Sequence, residues 1–168
     1  VSQPFAVAYG IGALDGALVP SGRFRATLDG HGDVRRVQVT SDQAGHFLAT
    51  FADLRQLDGG TLALDAMTDA RGPRHRLDGT LVVRDAKVVR APVLAKILSI
   101  GSLGGIAALI QGEGMPIKEA RVPFRWDGAR ITLADVRALG AIGLTADGVF
   151  DTTAGTCDVR GNVIRQER

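Results

Sequence analysis

The sequence predicts a mainly β protein with antiparallel strands and one short helical insertion. Apolar and polar residues alternate with a period of two in several segments, which is typical of strands that bury one face only. The 22 glycines are spread along the chain at spacings that suit turns between short strands. One apolar run, VLAKILSIGSLGGIAALIQG at 93–112, interrupts this pattern and predicts the helical insertion. Roughly eight to ten strands are expected.

Composition indicates a single folded domain over residues 1–168. The chain is 45% hydrophobic and 23% charged, which is ordinary for a domain with its own core. A net charge of +2 with only 5% aromatic residues does not favour nucleic-acid binding, so no nucleic acid is expected as a partner. The single cysteine, Cys157, excludes an internal disulfide and a cysteine-rich metal site. Because the chain lacks an initiator methionine and stops just after a predicted strand, we expect it to be a fragment of a longer protein.

The first strands are expected where alternation is clearest. It occurs at 23–28, 47–51 and 61–66, and a longer strand is expected over 79–90, before Pro92. Adjacent aspartate and glycine residues indicate further turns or bulges at Asp29-Gly30, Asp58-Gly59-Gly60 and Asp78-Gly79.

The strongest hairpin signal is Asp127-Gly128, the preferred pair for a two-residue type I′ turn. Such a turn places Trp126 opposite Ala129, Phe124 opposite Ile131 and Val122 opposite Leu133, all on one apolar face. Pro123 falls on the other face and predicts an edge strand or a bulge, because proline cannot donate to a ladder. Two more strands are expected near 143–150 and 156–164.

The apolar run predicts two short helices near 92–111, one over 92–100 and one over 102–111. Pro92 suits a first helical turn, and Gly101-Ser102 suits the end of one helix and the start of the next. A continuous helix over the run would measure about 28 Å, close to a bilayer core. Lys96 and the Gly-Ser break count against that span. Helices that cover the core and helices that contact lipid both remain open.

No pattern of catalytic or metal-ligating residues appears, so we expect no catalytic residue, no metal site, no cofactor and no enzymatic activity. The three histidines, His31, His46 and His75, are dispersed along the chain. Ser102 in IGSLG lacks the glycine two residues before it that a nucleophile elbow needs. The segment YGIGALDG has Asp15 where a dinucleotide-binding loop requires its third glycine.

Three stretches occur in an order that resembles a known family. They are LDGGTLAL (57–64), the segment 77–133 that begins LDGTLVVRDAKVVRAPVLAKIL, and GLTADGVFDTTAGTCDVRGNVI (143–164). The motif positions are Gly59, Gly60, Leu62, Gly79, Leu81, Val83, Asp85, Ala91, Pro92, Leu94, Ala95, Leu98, Gly112, Gly114, Asp127, Gly128, Asp158, Gly161, Val163 and Ile164. This ordered set resembles the C-terminal region of AsmA-like envelope proteins, the group that includes TamB and YhdP.

The resemblance implies an antiparallel curled sheet, a β-groove or β-taco, whose concave face is apolar. Members of that group are anchored in the inner membrane, cross the periplasm and are thought to carry phospholipid to the outer membrane. The resemblance therefore implies a fragment of a longer, repeating β-groove protein on the periplasmic side of the Gram-negative cell envelope. The full-length protein would be anchored in the inner membrane. The implied partner is a phospholipid or another acyl-chain ligand, and the implied role is non-enzymatic phospholipid transfer and outer-membrane lipid homeostasis.

The predicted lipid-binding residues are the apolar positions of the hairpin and of the two helices: Val122, Phe124, Trp126, Ile131, Leu133, Leu94, Ile97, Leu98, Ile106 and Ile110. Packing of the predicted helices against the sheet would explain these apolar positions equally well. Two other functions stay open, a closed β-barrel or sandwich that binds a small apolar ligand and a purely structural envelope scaffold. After GNVI the family continues with more sheet, whereas this chain ends in RQER. An exposed strand edge is expected there, and with it an edge-to-edge homodimer of the fragment, or a dimer through the apolar helices.

Overall fold

One open antiparallel sheet of nine strands makes up most of the described protein, as predicted. The computed structural model describes residues 12–18, 21–30, 32–71, 75–91 and 112–164. Within these ranges each strand pairs with the next one along the chain, and the architecture fits a curled sheet with a small helical insertion. Within the described residues the first and last strands are the two edges and do not pair with each other. This part of the chain therefore forms an open sheet and not a closed barrel or a two-sheet sandwich.

Each predicted strand overlaps an observed one, apart from the segment 47–51, whereas the strands at 12–17 and 34–41 were not predicted. The strands are β1 (Gly12–Ala17), β2 (Arg23–Asp29), β3 (Val34–Ser41), β4 (Leu57–Asp69), β5 (Arg76–Val88), β6 (Met115–Trp126), β7 (Arg130–Gly140), β8 (Gly143–Asp151) and β9 (Thr156–Ile164). The helix α1 (Ala44–Phe51) connects β3 to β4.

The strand predicted at 47–51 is wrong, because these residues belong to α1. The same residues also match the helical spacing i, i+3, i+4, i+7 in Ala44, Phe47, Leu48 and Phe51. Packing decides between the two patterns. Ala44 is fully buried, and the rings of Phe47 and Phe51 meet the Phe24 ring at centroid distances of 5.6 and 5.3 Å. A strand could not bring these side chains together on one side of the chain.

The two helices predicted near 92–111 lie outside the described residues, and so do five of the predicted site residues: Leu94, Ile97, Leu98, Ile106 and Ile110. In the part of the chain that the structure describes, no helix has the length and hydropathy to cross a membrane.

The glycine-rich turns predicted within 57–79 are partly wrong. Gly59 and Gly60 lie inside β4, where both have positive φ and the pairing with β5 is interrupted opposite Asp85, whose φ is also positive. This is an irregularity of the kind predicted. Asp78 and Gly79, by contrast, pair regularly inside β5 and form no turn.

The apolar residues of the β6–β7 hairpin lie on one face as predicted, but the register of the two strands differs from the prediction. Trp126 pairs with Ile131 and Phe124 with Leu133, two residues away from the predicted partners. The Asp127 N–H donates to the Arg130 carbonyl over 3.1 Å, so the two loop residues are Gly128 and Ala129. The Asp127 carboxylate holds this loop by accepting from the Ala129 and Arg130 N–H groups at 3.0 and 2.8 Å.

The type I′ turn predicted for this hairpin is also wrong. Gly128 has φ +91°, whereas Ala129 is not among the described residues with positive φ. A type I′ turn requires positive φ at both loop positions, and glycine at the first position alone suits a type II′ turn.

Pro123 marks a bulge rather than an edge strand. Strand β6 lies inside the sheet between β5 and β7, and the register of β6 on β7 shifts between Arg121 and Phe124. The sheet therefore tolerates the missing N–H of proline at an irregularity, which is the second of the two predicted explanations, a bulge.

The best-buried core lies where α1 packs on the sheet. Its members are Val39, Ala44, Leu48, Leu62, Val83 and Ala86. Gly45 of α1 sits so close to β4 that an added Cβ would lie 2.6 Å from the Leu57 carbonyl oxygen. This close approach brings the helix down onto one end of β3, β4 and β5.

Candidate functional site: the apolar face of the sheet

Four rows of side chains cross one face of the sheet, and nearly all of them are apolar. Each row is made of residues that stand side by side on neighbouring strands, and successive rows are two residues apart along each strand. Because alternate residues of a strand point to opposite faces, the four rows share one face. We call it the apolar face.

The register defines the members of each row. The first row is Gly16, Phe24, Ser41, Leu62, Val83, Ala120, Ala138, Leu144 and Val163. The second row is Leu14, Ala26, Val39, Leu64, Leu81 and Val122, continued by Val136, Ala146 and Gly161 beyond the β6–β7 irregularity. The third row is Leu28, Val37, Ala66, Gly79, Phe124, Leu133, Gly148 and Val159. The fourth row is Arg35, Thr68, Leu77, Trp126, Ile131, Phe150 and Cys157.

The structure brings the five described site residues together on this face. Val122, Phe124 and Trp126 of β6 occupy the second, third and fourth rows, while Leu133 and Ile131 of β7 continue the third and fourth. Val122 itself lies in the irregularity and has no direct partner on β7. Trp126 leaves 38% of its surface exposed, and the other four are half-buried.

Sequence reasoning missed that the hairpin is only the middle of a much wider apolar surface. The third and fourth rows extend it to Leu77 on one side and to Phe150 and Val159 on the other. The sequence does contain a signal for this surface, because each of these residues occupies an apolar position of a strand with period-two alternation. Only the register shows that the alternating positions of nine strands fall on the same face.

The opposite face of the sheet carries charges that are paired across the strands. Asp15 and Arg25 stand directly opposite each other and bond at 2.6 Å, as Asp78 and Arg125 do. Arg84 and Glu119 form a third directly opposed pair at 2.9 Å. Opposite charges at such cross-strand positions favour the observed register, although each pair contributes little because its charges are exposed and screened by water. We call this surface the charged face.

Two carboxylates of the charged face, those of Asp15 and Asp65, have their pKa lowered by arginine partners. The hydrogen bond from Arg25 keeps the pKa of Asp15 below its ordinary value. Arg36 lowers the pKa of Asp65 in the same way, with its Nε 2.9 Å from Oδ1. These groups are solvated, so the pairs stabilise the sheet and do not form a reactive site.

Helix α1 covers only one end of the apolar face. Within the described residues it packs on β4 and β5, meets the Phe24 ring of β2, and shares a buried core with Val39 of β3. Exposure then rises towards the last strand, where Val159 and Val163 are 47% and 36% exposed. A face that is apolar over four rows, and that the described helix covers at one end, is the kind of surface that binds an apolar partner.

The described residues offer little else with the chemistry of a site. A shallow cavity of about 340 Å³ lies between the ends of β5 and β6 and the β7–β8 turn, and it contains none of the predicted site residues. No group of three or more histidine, cysteine or acidic side chains in the described ranges is placed to hold a metal ion. His46 of α1 instead bonds the Ser21 carbonyl oxygen at 2.8 Å through Nδ1.

Comparison of the chain with protein-family models, with curated proteins and with solved structures finds no match. The resemblance to AsmA-like proteins therefore depends on the ordered motifs of the sequence, and the function has to be argued from the geometry of the sheet.

Proposed function

We propose that this protein binds the acyl chain of a lipid on the apolar face of its sheet and has no enzymatic activity. The wider role that we propose is phospholipid transfer between the inner and outer membranes, on the periplasmic side of a Gram-negative envelope. In that role the full-length protein, anchored in the inner membrane, contacts the membranes that donate and accept lipid. That wider role depends on the resemblance to AsmA-like proteins.

The observation that supports lipid binding is the two-faced character of the sheet. One face is apolar through four rows, whereas the other carries directly opposed ion pairs such as Asp78 with Arg125. An open sheet of this kind can cover an acyl chain on one side and keep its other side in water. Each methylene that leaves water contributes about 0.8 kcal/mol, so a long chain is held without any specific polar contact.

The residues that carry the proposal are half-exposed rather than buried. Phe124, Ile131 and Leu133 lie on β6 and β7, whereas α1 packs mainly on β4 among the described residues. Their side chains are half-buried and therefore more accessible to a ligand than the core residues Leu62 and Val83, which are 3% and 4% exposed.

The first experiment is to extract lipid from the purified chain and identify it by mass spectrometry. We expect phospholipid or fatty acid to co-purify with the native protein and to exchange with added lipid. A chain that carries no lipid and takes none up from vesicles would count decisively against the proposal.

The second experiment separates transfer from passive binding. Fluorescent phospholipid moves from donor to acceptor vesicles in the presence of the wild-type chain, and Phe124→Glu is expected to abolish this movement because it places a carboxylate on the apolar face. The matched control is Met67→Glu, which adds the same carboxylate on the charged face, where Met67 is 44% exposed and pairs with Asp78. Both variants are checked for folding by circular dichroism. Equal losses of transfer in the two variants would contradict a role for the apolar face.

A further inference from the structure

One charged side chain lies among the four apolar rows. Arg35 stands in the fourth row, directly opposite Thr68 and two residues from Val37 on the same face. Its neighbour Arg36 points to the charged face, where Nε bonds Asp65 at 2.9 Å. Within the described ranges Arg35 is thus the only charged member of these rows.

Arg35 has few partners for its guanidinium group. The residue is half-buried, and its Nε donates to the Gly32 carbonyl oxygen over 3.3 Å. No carboxylate of the described residues forms an ion pair with it, although Arg25, Arg36, Arg84 and Arg125 all have one. A guanidinium has five donors in a planar fork that suits carboxylate and phosphate oxygens, so most of its bonding capacity is unused.

We propose that Arg35 binds the anionic head group of an acyl lipid, with carboxylate or phosphate oxygens, whose chain lies along the fourth row. This inference depends on the proposed function and names its substrate class. The row runs from Arg35 past Thr68 to Leu77, Trp126, Ile131 and Phe150. These residues span β3 to β8, five strand spacings or about 24 Å, which matches an extended long acyl chain.

Trp126 provides a direct readout, because it is the single tryptophan of the chain and lies in the fourth row three strands from Arg35. Acyl chains labelled with bromine quench tryptophan fluorescence on contact. The probes are a brominated long-chain fatty acid, the matching alkyl phosphate and the matching neutral alcohol, titrated below their micellar concentrations. We expect one of the anionic probes to bind about tenfold more tightly than the alcohol, as a charge-assisted bidentate contact provides.

The matched variants are Arg35→Gln and Arg36→Gln, which remove the same charge from adjacent positions on opposite faces. Arg35→Gln is expected to abolish the preference for the anionic probes and to leave binding of the alcohol unchanged. Arg36→Gln is expected to keep the preference. The ranking of acid and phosphate identifies the head group. Equal binding of all three probes to the wild type, or equal effects of the two variants, would overturn the inference while the proposed function stands. Quenching by none of the probes contradicts the proposed function itself.

A separate observation concerns the edge strand β9. All nine of its residues are exposed, it contains no proline, and within the described residues it pairs only with β8. Long unprotected edges of this kind pair readily with another strand. Asp158 and Arg160 lie on the charged face of β9, and neither forms an ion pair within the described ranges.

We infer that two copies of the chain pair antiparallel through β9, with Val159 opposite Val159 of the second copy. This register places Asp158 of each copy opposite Arg160 of the other. The adjacent register on one side would set Arg160 against Arg160, which is repulsive. A two-fold axis perpendicular to the sheet keeps both apolar faces on the same side, so the rows continue from one copy into the next.

Cysteine cross-linking tests this register in a Cys157→Ser background. Directly opposed residues of antiparallel strands have Cα atoms about 4.5–5.5 Å apart, within disulfide range. Val159→Cys is expected to give a disulfide-linked dimer under mild oxidation, whereas Val163→Cys is not. In analytical ultracentrifugation, Arg160→Asp is expected to weaken the dimer more than tenfold and the double variant with Asp158→Arg to restore it. A chain that stays monomeric at high concentration, or an unchanged dimer in Arg160→Asp, would refute this pairing.

Discussion

Gly45 of α1 lies directly on the backbone of β4 at Leu57. A Cβ added at Gly45 would come within 2.6 Å of the Leu57 carbonyl oxygen and 3.0 Å of the Gly59 nitrogen. Both neighbours are backbone atoms of a paired strand, so neither can move aside without disturbing the sheet. The helix is therefore held at a distance from the sheet that only glycine permits.

The first prediction is that Gly45→Ala destabilises the protein, although alanine is the better helix former. Helix propensity alone would favour the variant by about 1 kcal/mol. Because the methyl group overlaps backbone, we expect a net loss of about 1–3 kcal/mol in the free energy of unfolding. Urea unfolding followed by circular dichroism measures it. Thr50→Ala is the control for propensity, since Thr50 is exposed in the same helix. A stabilised Gly45→Ala would show that α1 does not rest on β4 as described.

A second prediction concerns the core beneath α1. Leu62 is 3% exposed and packs with Leu48 and Val83, so Leu62→Ala is expected to lower the free energy of unfolding by about 2–5 kcal/mol. Leu139→Ala is the matched control, because Leu139 lies in a strand with 49% of its surface exposed. We expect its effect to stay under about 0.5 kcal/mol. Similar losses in both variants would contradict the location of the core.

A third prediction concerns the titration of Asp69, which accepts hydrogen bonds from the side chain and from the backbone N–H of Arg71. These bonds lower the pKa of Asp69 from 3.8 to about 2. Because the folded-state pKa is depressed, this pair stabilises the fold above pH 3.8, and the contribution is lost as the pH falls towards 2. The loss is small and weaker in high salt, since the Arg71 side chain is 65% exposed.

Carboxyl-detected NMR titration checks this value directly. Arg71→Gln removes the side-chain partner but leaves the backbone N–H in place. The pKa of Asp69 should therefore rise in the variant without reaching its ordinary value. A wild-type midpoint near that ordinary value would contradict the described turn at Asp69.

A fourth prediction concerns the β6–β7 hairpin. Gly128 has φ +91° at the first loop position, a conformation that costs an L-residue about 1–2 kcal/mol. Gly128→Ala is expected to lower the free energy of unfolding by that amount, measured by urea unfolding. An unchanged stability would contradict the positive φ of Gly128 and with it the described loop.

The hairpin also shows what period-two patterns can and cannot predict. Alternation assigned Phe124, Trp126, Ile131 and Leu133 to one face, and that assignment is confirmed. The register was wrong by two residues, because a shift of two leaves every side chain on the same face. What decides the register is the Asp127 carboxylate, which accepts from two N–H groups of the loop. Alternation of apolar residues contains no information about those bonds.

The sequence by itself determined that the protein is mainly antiparallel β, where most strands lie and which side of each strand is apolar, because these follow from local patterns of neighbouring residues. The tertiary structure decided three further matters: the helical state of 44–51, the position of α1 on β4, and the union of nine apolar strand sides into one face. Each depends on contacts between residues distant in the chain, such as Phe24 with Phe51 or Gly45 with Leu57. The position of Arg35 is likewise decided by the pairing of strands that are distant in the chain. In the sequence it is one arginine beside another, and only the register places it alone at the end of an apolar row.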